Sequence, residues 1–275
     1  PQMCLRTGAL LGAEALLRWD NPVLGKVPPG LFIALAEEYG LITAIGEWVL
    51  ESVCAQIRAW HDAGLGSIKV AVNLSGKQFA QDRTVPFVEA ALRKYGIAPA
   101  CLGIEITEST VMGDPDKAVA ALTRLKDIGV GISLDDFGTG YSSLGYLKRF
   151  PIDVLKIDKS FVDDVTTSSS DAAIARSVIS LAHNLDMRVI AEGVEIGNRL
   201  FTRLPRMPDS PHPATHLPAS AHGAWQAHLR LGFALHDGVS RLVERTHSGP
   251  LRVQKPLYPE GDAVCHAIIA HILLR

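Results

Sequence analysis

The chain has 275 residues, 47% of them hydrophobic and 20% charged, with a formal net charge of −2. That length admits one large α/β barrel or two small domains with a sizeable core, and the near-neutral balance supplies no basic patch for a nucleic-acid polymer. No run reaches the roughly 20 apolar residues of a membrane span and no signal peptide is evident, while Cys4, Cys54, Cys101 and Cys265 form no C-x-x-C pair, which fits a reducing compartment and argues against zinc or a disulfide scaffold.

The chain starts at Pro1, without Met, inside a strand or turn pattern, as a fragment of a longer protein would. Leu10–Leu17 is an apolar run containing Glu14. Leu31–Tyr39 and Ile42–His61 have helical periodicity, with Gly40 between them. A strand is predicted over Ile68–Leu74 and a helix over Gln78–Tyr95. Leu102–Ile106 reads as a strand, Asp116–Ile128 as an amphipathic helix stopped by Gly129, and Gly131–Leu134 as a strand. A short helix over Tyr141–Arg149 ends at Pro151. Val154–Ile157 is a strand, Asp171–Asp186 a helix and Arg188–Ala191 a strand. Repeated β-α-β units with near-continuous apolar strands mean a parallel sheet covered on both faces, and this length favours a closed, TIM-like barrel.

After Asn198 the texture changes. Eight of the ten histidines lie between His212 and His271, and proline recurs at 205, 208, 211, 213 and 218. Residues 199–250 carry only Asp209, Asp237 and Glu244 as acids. His212, His216 and His222 can be read as metal ligands, or, with their irregular spacing in a Pro-rich stretch, as part of a loosely ordered segment. Ala221–Val243 has some helical periodicity. The expected organisation is a barrel over residues 1–198 and an atypical Pro/His-rich segment over 199–275.

The polar residues fall at strand ends. Glu14 lies in the first clear strand, Asn73 ends the next, and Glu105 the third, with Glu108 three residues on. Asp135 and Asp136 follow the fourth, Lys156 and Asp158 the fifth, and Glu192, with Glu195 three on, the sixth. In a parallel α/β barrel these ends meet at one face, where active sites sit. Two adjacent aspartates at a buried strand's end require something cationic, although one of them can instead cap a helix while the other is solvated. The donors are all oxygens with one lysine, a set that selects Mg²⁺, Mn²⁺ or Ca²⁺ over zinc or copper. Such a site can clamp a phosphodiester between two ions. Lys156 can orient a water or offset phosphoryl charge, or simply pair with a neighbouring Asp. Arg18 can hold a phosphate bidentately, or be an exposed rim arginine.

At these residues the chain resembles the EAL family of bacterial cyclic-di-GMP phosphodiesterases. The resemblance is carried by Glu14-Ala15-Leu16-Leu17-Arg18-Trp19, Asn73-Leu74-Ser75, Glu105-Ile106-Thr107-Glu108, Asp135-Asp136-Phe137-Gly138-Thr139-Gly140, Lys156-Ile157-Asp158 and Glu192-Gly193-Val194-Glu195, in the family's order, across residues 1–197. It implies that Glu14, Asn73, Glu105, Asp135, Asp136 and Glu192 bind two Mg²⁺ or Mn²⁺ ions. It implies catalytic roles for Lys156, which contacts the hydrolytic water, and for Asp136 and Glu192. Glu108 anchors the loop after Asp136, which shapes the second metal site and a homodimer contact. Leu16, Arg18, Asp158 and Glu195 meet the substrate. The implied reaction opens cyclic-di-GMP to linear pGpG, with calcium inhibitory because a larger, more flexibly coordinated ion bridges badly. A sensor or diguanylate-cyclase-like domain is expected upstream in the full-length protein. This domain is expected in the cytoplasm and without membrane contact of its own, any anchor lying upstream.

Two features depart from the family pattern. The first strand and its glutamine are largely absent before Pro1. The family's later Gln-Gly-Tyr strand is also missing: His212 falls near the expected glutamine, and Lys255-Pro256-Leu257 lies some 30 residues later than the family's similar turn. The shift after Asn198 suits a reading-frame change in a GC-rich gene, which sequencing the locus tests. An unclosed barrel exposes sheet edges, so the alternative function is a non-catalytic cyclic-di-GMP-binding or interaction module. An enolase-like Mg²⁺ enzyme is a third reading, but it explains Asp135-Asp136 and Glu105-x-x-Glu108 less well.

Overall fold

The computed structural model describes residues 1–4, 7–138 and 144–194. The elements in chain order are β1 (Gln2–Met3), β2 (Leu10–Ala15), β3 (Trp19–Asn21), β4 (Gly25–Val27), α1 (Pro29–Glu38), α2 (Ile42–Asp62), β5 (Lys69–Asn73), α3 (Gly76–Phe79), α4 (Thr84–Tyr95), β6 (Leu102–Thr107), α5 (Glu108–Gly113), α6 (Pro115–Ile128), β7 (Gly131–Phe137), α7 (Leu144–Leu147), β8 (Val154–Ile157), α8 (Ser169–Asn184) and β9 (Arg188–Ala191). Short 3₁₀ turns occupy Pro99–Cys101 and Lys159–Phe161. The chain divides into two units. One comprises Pro1–Ala15 with the described residues from Leu50 onward, the other Leu16–Val49.

The first unit is built on a seven-stranded sheet in the order β1-β2-β5-β6-β7-β8-β9. Every pairing from β2 onward is parallel, and only the two-residue β1 runs antiparallel to its neighbour. This is a TIM-like α/β fold with a truncated first strand. The strands are buried on both faces, which is why they read as apolar runs: Leu102, Ile104, Ile132 and Leu155 are wholly inaccessible. The helices cover the sheet with residues at helical spacing. In α6, Ala118, Leu122 and Leu125 are buried, each leucine worth about 1.5–3 kcal/mol in removed apolar surface. The helix starts where the Asp114 side chain accepts the Lys117 N–H and Pro115 takes the first turn, and it stops at Gly129, whose φ of 98° few other residues adopt.

The second unit holds the β3–β4 hairpin, which the sequence reading did not anticipate. The side chain of buried Asn21 closes its turn, Oδ1 accepting from the Val23 and Leu24 N–H groups at 2.9 and 3.0 Å. Trp19 meets Phe32 of α1 edge to face at 5.9 Å. Ala36, Ile42 and Ile45 form a small core with Leu17, Ile33, Leu41 and Val49.

Three boundaries differ from those predicted. The single helix expected over Gln78–Tyr95 is two. Ser75 and Gln78 form a reciprocal capping box that starts α3, and Thr84 then opens α4, its hydroxyl donating to the Gln78 carbonyl at 2.6 Å. The strand expected over Gly131–Leu134 runs on through both aspartates to Phe137. Glu108 opens a helix of its own, α5. The Tyr141–Arg149 helix is described only from Leu144. The histidine cluster, the 199–275 segment and the Ala221–Val243 periodicity lie outside the described residues. No helix among the described residues is long and apolar enough to cross a membrane.

Candidate active site

Parallel register brings the predicted residues to one end of the sheet. Glu14 on β2 pairs with Ala71, and two residues further along β5 Asn73 stands opposite Glu105. Asn73 Nδ2 donates to Glu14 Oε1 at 2.5 Å. One carboxylate oxygen from each of Glu14, Glu105 and Asp135 lies within 4.8 Å of the others, a spacing that suits a shared cation.

Lys156 sits at the centre, with a side chain 2% exposed. Its Nζ lies 2.7 Å from Glu105 Oε2, 2.8 Å from Asp135 Oδ2, 2.6 Å from Glu192 Oε1 and 3.8 Å from Glu14 Oε2. Four carboxylates thus meet one ammonium, a formal excess of three negative charges when all are ionised. The titration behaviour follows from that imbalance. Burial opposes the lysine's charge, but Glu105 and the hydrogen bonds to Asp135, Glu105 and Glu192 outweigh it and hold Lys156 well above the usual ammonium range. Glu105 goes the other way in charge: burial, aided by Glu14 and Asp135, lifts its pKa to about 7 despite the lysine. Burial also raises Glu192 and Asp136, the latter with help from Asp135 and Asp158. Glu105 Oε1 is buried without a hydrogen-bond partner. An all-oxygen cluster with surplus negative charge and an unsatisfied buried oxygen fits a hard divalent cation.

The aspartates owe their arrangement to a bulge. Leu134 pairs with Leu155 and Phe137 with Ile157, so Asp135 and Asp136 together stand opposite Lys156 alone. Two residues against one is the definition of a β-bulge, and Asp136 takes the left-handed backbone needed, with φ 55°. Asp135 Oδ1 accepts the Asp136 N–H at 2.9 Å while its Oδ2 accepts from Lys156.

Glu108, 4% exposed, accepts the Gly138 N–H on Oε2 at 3.3 Å and so ties α5 to the turn after β7. Asp158 also sits at a strand end, but its carboxylate caps its own 3₁₀ turn, accepting from Ser160 N and Oγ at 2.9 and 2.5 Å. Those bonds hold it below the ordinary carboxylate range. Leu16 and Arg18 belong to the second unit. Leu16 is 48% exposed, and Arg18 Nη1 donates to the Leu17 carbonyl at 2.7 Å. Glu195 and residues 139–143, where the dimer contact was expected, lie outside the described residues.

The sequence reading passed over Phe161 and Lys159. A Cβ on Gly138 would meet the Phe161 ring at 3.2 Å, and one on Gly193 would meet Lys159 Cγ at 2.5 Å. The turn after β8 therefore packs against the backbone following Asp136 on one side and Glu192 on the other. The only sequence signal is a glycine within two residues of Asp136 and of Glu192.

Comparison with known proteins agrees with this geometry. The EAL domain model matches residues 1–200. A second model, for the UreD urease accessory protein, matches only residues 226–272, too small a share of the chain to assign it there and outside the described residues. The chain is 48% identical over 195 residues to the bifunctional diguanylate cyclase/cyclic di-GMP phosphodiesterase MucR of Pseudomonas aeruginosa, covering 71% of this chain and 28% of that protein. It is 42% identical over 200 residues to the cyclic di-GMP phosphodiesterase NbdA of the same species, covering 73% of this chain and 26% of that protein. The chain thus spans about a quarter of the length of these relatives. A solved structure described as the PaMucR phosphodiesterase in complex with c-di-GMP superposes with a TM-score of 0.69 at 47% identity, over 72% of this chain and 80% of that one. With the family model spanning the whole described sheet and the acidic strand ends intact, the chain belongs to the EAL domain family.

Proposed function

We propose that this chain hydrolyses cyclic di-GMP to linear pGpG with two Mg²⁺ or Mn²⁺ ions. The observation that carries the reading is the cluster around Lys156: four carboxylates on one ammonium, with one buried carboxylate oxygen left unsatisfied. The phosphodiesterase names of its relatives support the choice of substrate.

Glu14, Asn73, Glu105, Asp135, Asp136 and Glu192 would hold the ions. The chemistry such ions supply is neutralisation of charge on the phosphodiester oxygens and acidification of the attacking water. Lys156, held charged, fixes Glu105, Asp135 and Glu192 and can donate to the attacking water. Glu108 steadies the turn after Asp136. Leu16, Arg18, Asp158 and Glu195 are proposed substrate contacts, and the loop after Asp136 a homodimer contact. The catalytic body is proposed to end near Asn198, with residues 199–275 a separate segment. A cytoplasmic setting and an upstream sensor or diguanylate-cyclase-like domain belong to the same proposal.

The test is incubation of the purified chain with Mn²⁺ and cyclic di-GMP, with pGpG as the readout, beside a thermal melt that shows folding. Glu14→Ala and Asp135→Ala should each abolish turnover. Near-full activity in either variant refutes the site, and tight binding by the folded chain without product refutes catalysis in favour of a binding module.

A further inference from the structure

The sheet of the first unit is charged at its other end as well, with the opposite sign. Lys69 opens β5 on the strand face that carries Ala71 and Asn73. Its side chain crosses β6 and β7. A Cβ on Gly103 would lie 3.1 Å from Lys69 Cε, and one on Gly131 would overlap Nζ. Gly103 and Gly131 are register partners, so the paired glycines leave the groove that the lysine stem fills.

At the end of that groove stands Asp153, whose Oδ2 is 3.8 Å from the same Gly131 Cβ position. Asp153 is already committed. Its Oδ1 accepts from Lys126 Nζ at 2.6 Å and its Oδ2 from the Ile132 N–H at 2.8 Å. Its carbonyl accepts the Arg188 N–H at 2.9 Å. Arg188 opens β9 opposite Val154. By the two-residue period it shares a strand face with Ile190, the register partner of Lys156, and it is exposed at the start of the strand.

Lys126 and Lys69 therefore meet at a single carboxylate, with Arg188 near enough for its charge to act on Lys69. Lys126 and Asp153 are only 35% and 29% exposed. Among the described residues Lys69 has no hydrogen-bond acceptor and no ion-pair partner within bonding range. Burial, and then the charge of Arg188, depress its pKa. A partly buried cation without an acceptor is unfavourable, and the surplus of positive charge is one an anion would satisfy.

We propose that the N-terminal edge of this sheet binds a tetrahedral oxyanion of the phosphate class between Lys69, Lys126 and Arg188. The guanidinium offers two parallel donors to such an ion and the ammonium groups add point charges. The proposal does not rest on the phosphodiesterase reading, although the charge of Glu105 at the acidic end acts on Lys69. Without metal, the acidic end repels phosphate.

The experiment uses the full chain, freed of metal with EDTA, at constant ionic strength. Inorganic phosphate is titrated against chloride, with binding read by equilibrium dialysis and by thermal melting. One bound phosphate is expected, with Tm raised by about 3 °C at tenfold excess over Kd. Lys69→Met and Arg188→Gln should each weaken phosphate binding about tenfold, while Lys94→Gln, an exposed lysine paired with Glu51, leaves it unchanged. Lys69→Met should also keep or raise the phosphate-free Tm, because a partly buried ammonium without an acceptor is gone. A merely structural lysine would instead lower that Tm and leave phosphate binding intact. A parallel titration with GMP separates sources: equal affinity identifies free phosphate, tighter Lys69-dependent binding a nucleotide's terminal phosphate. Absence of phosphate binding by dialysis, or binding unchanged in both Lys69→Met and Arg188→Gln, overturns the proposal.

Discussion

Glu105 is wholly buried, and its pKa rises from an ordinary 4.5 to about 7. Burial is the main cause, Lys156 opposes it, and the charges of Glu14 and Asp135 add to it. The native protein therefore keeps a proton that the unfolded chain releases. For a carboxyl raised in this way the sign is fixed. Stability is greatest below about pH 4.5, falls as pH climbs to about 7, and is then flat. A rise of that size corresponds to roughly 3 kcal/mol. Glu192 and Asp136 are raised by burial too and act in the same direction. A divalent ion that binds the ionised cluster reverses the effect, because its affinity grows as the ligands deprotonate. Thermal melts of the metal-free chain should therefore lose about 6–10 °C in Tm between about pH 4.5 and about pH 7. Saturating Mn²⁺ should abolish most of that loss and stabilise far more at the upper pH than at the lower. Glu105→Gln, neutral throughout, should show a smaller drop and a weaker response to Mn²⁺. A metal-free Tm that rises across this window, or a Glu105→Gln variant with an undiminished drop, would refute the reasoning.

Three further outcomes follow from single contacts. Lys156→Met removes the cation shared by Glu105, Asp135 and Glu192 and should destabilise the metal-free chain by about 3–5 kcal/mol in urea unfolding at neutral pH, less in acid, where Glu105 is protonated. Asp136 at φ 55° should accept glycine with little change in metal-free stability, whereas Asp136→Val should lose about 1–3 kcal/mol to backbone strain; both should lower turnover. Gly138→Ala places a Cβ 3.2 Å from the Phe161 ring at φ 97° and should likewise lose about 1–3 kcal/mol. Adding Phe161→Leu should recover the part due to contact but not the part due to φ, as a double-mutant cycle would show.

Most of the β/α order is legible because strands buried on both faces leave continuous apolar runs, such as Leu102–Ile106 and Val154–Ile157, that stand out against the 3.6-residue period of α6 and α8. The β3–β4 hairpin is not legible in that way. Its strands are three residues each, too short to show alternation, and the turn depends on the Asn21 side chain. The division of Gln78–Tyr95 had a visible signal in Pro86. Proline lacks an N–H and belongs to a helix's first turn, so α4 had to begin just before it. The acidic strand ends were legible as chemistry, since carboxylates rarely close buried strands without a reason. Which of them Lys156 touches was not. Parallel register decides that, and register depends on pairings between residues far apart in the chain. The Lys69 cluster escaped for the same reason: a lysine at a strand's start looks like an exposed charge until Gly103 and Gly131 are seen to make room for it.

The bulge in β7 shows what register adds to composition. On a regular strand Asp135 and Asp136 would point to opposite faces, and one of them would be driven among the apolar residues that α6 packs against the sheet. A charge there would have to be neutralised or the strand would not pair. Inserting one residue against Lys156 removes the conflict, because Asp136 turns through a left-handed conformation and Phe137 resumes pairing with Ile157. Asp135 keeps the strand's inward direction and the lysine. Asp136 stays half-buried, and burial, with the charges of Asp135 and Asp158, raises its carboxyl against the pull of Lys156. The adjacent aspartates are thus inequivalent before any ion arrives: Asp135 bonds the Lys156 ammonium directly, whereas burial raises the carboxyl of Asp136. That predicts an order of loss on metal titration. Asp135→Asn should weaken the packing around Lys156 as well as metal affinity, whereas Asp136→Asn should weaken metal affinity while leaving metal-free stability unchanged or raised. Equal destabilisation of the metal-free chain by the two substitutions, measured by urea unfolding in EDTA, would show that the bulge does not separate their roles.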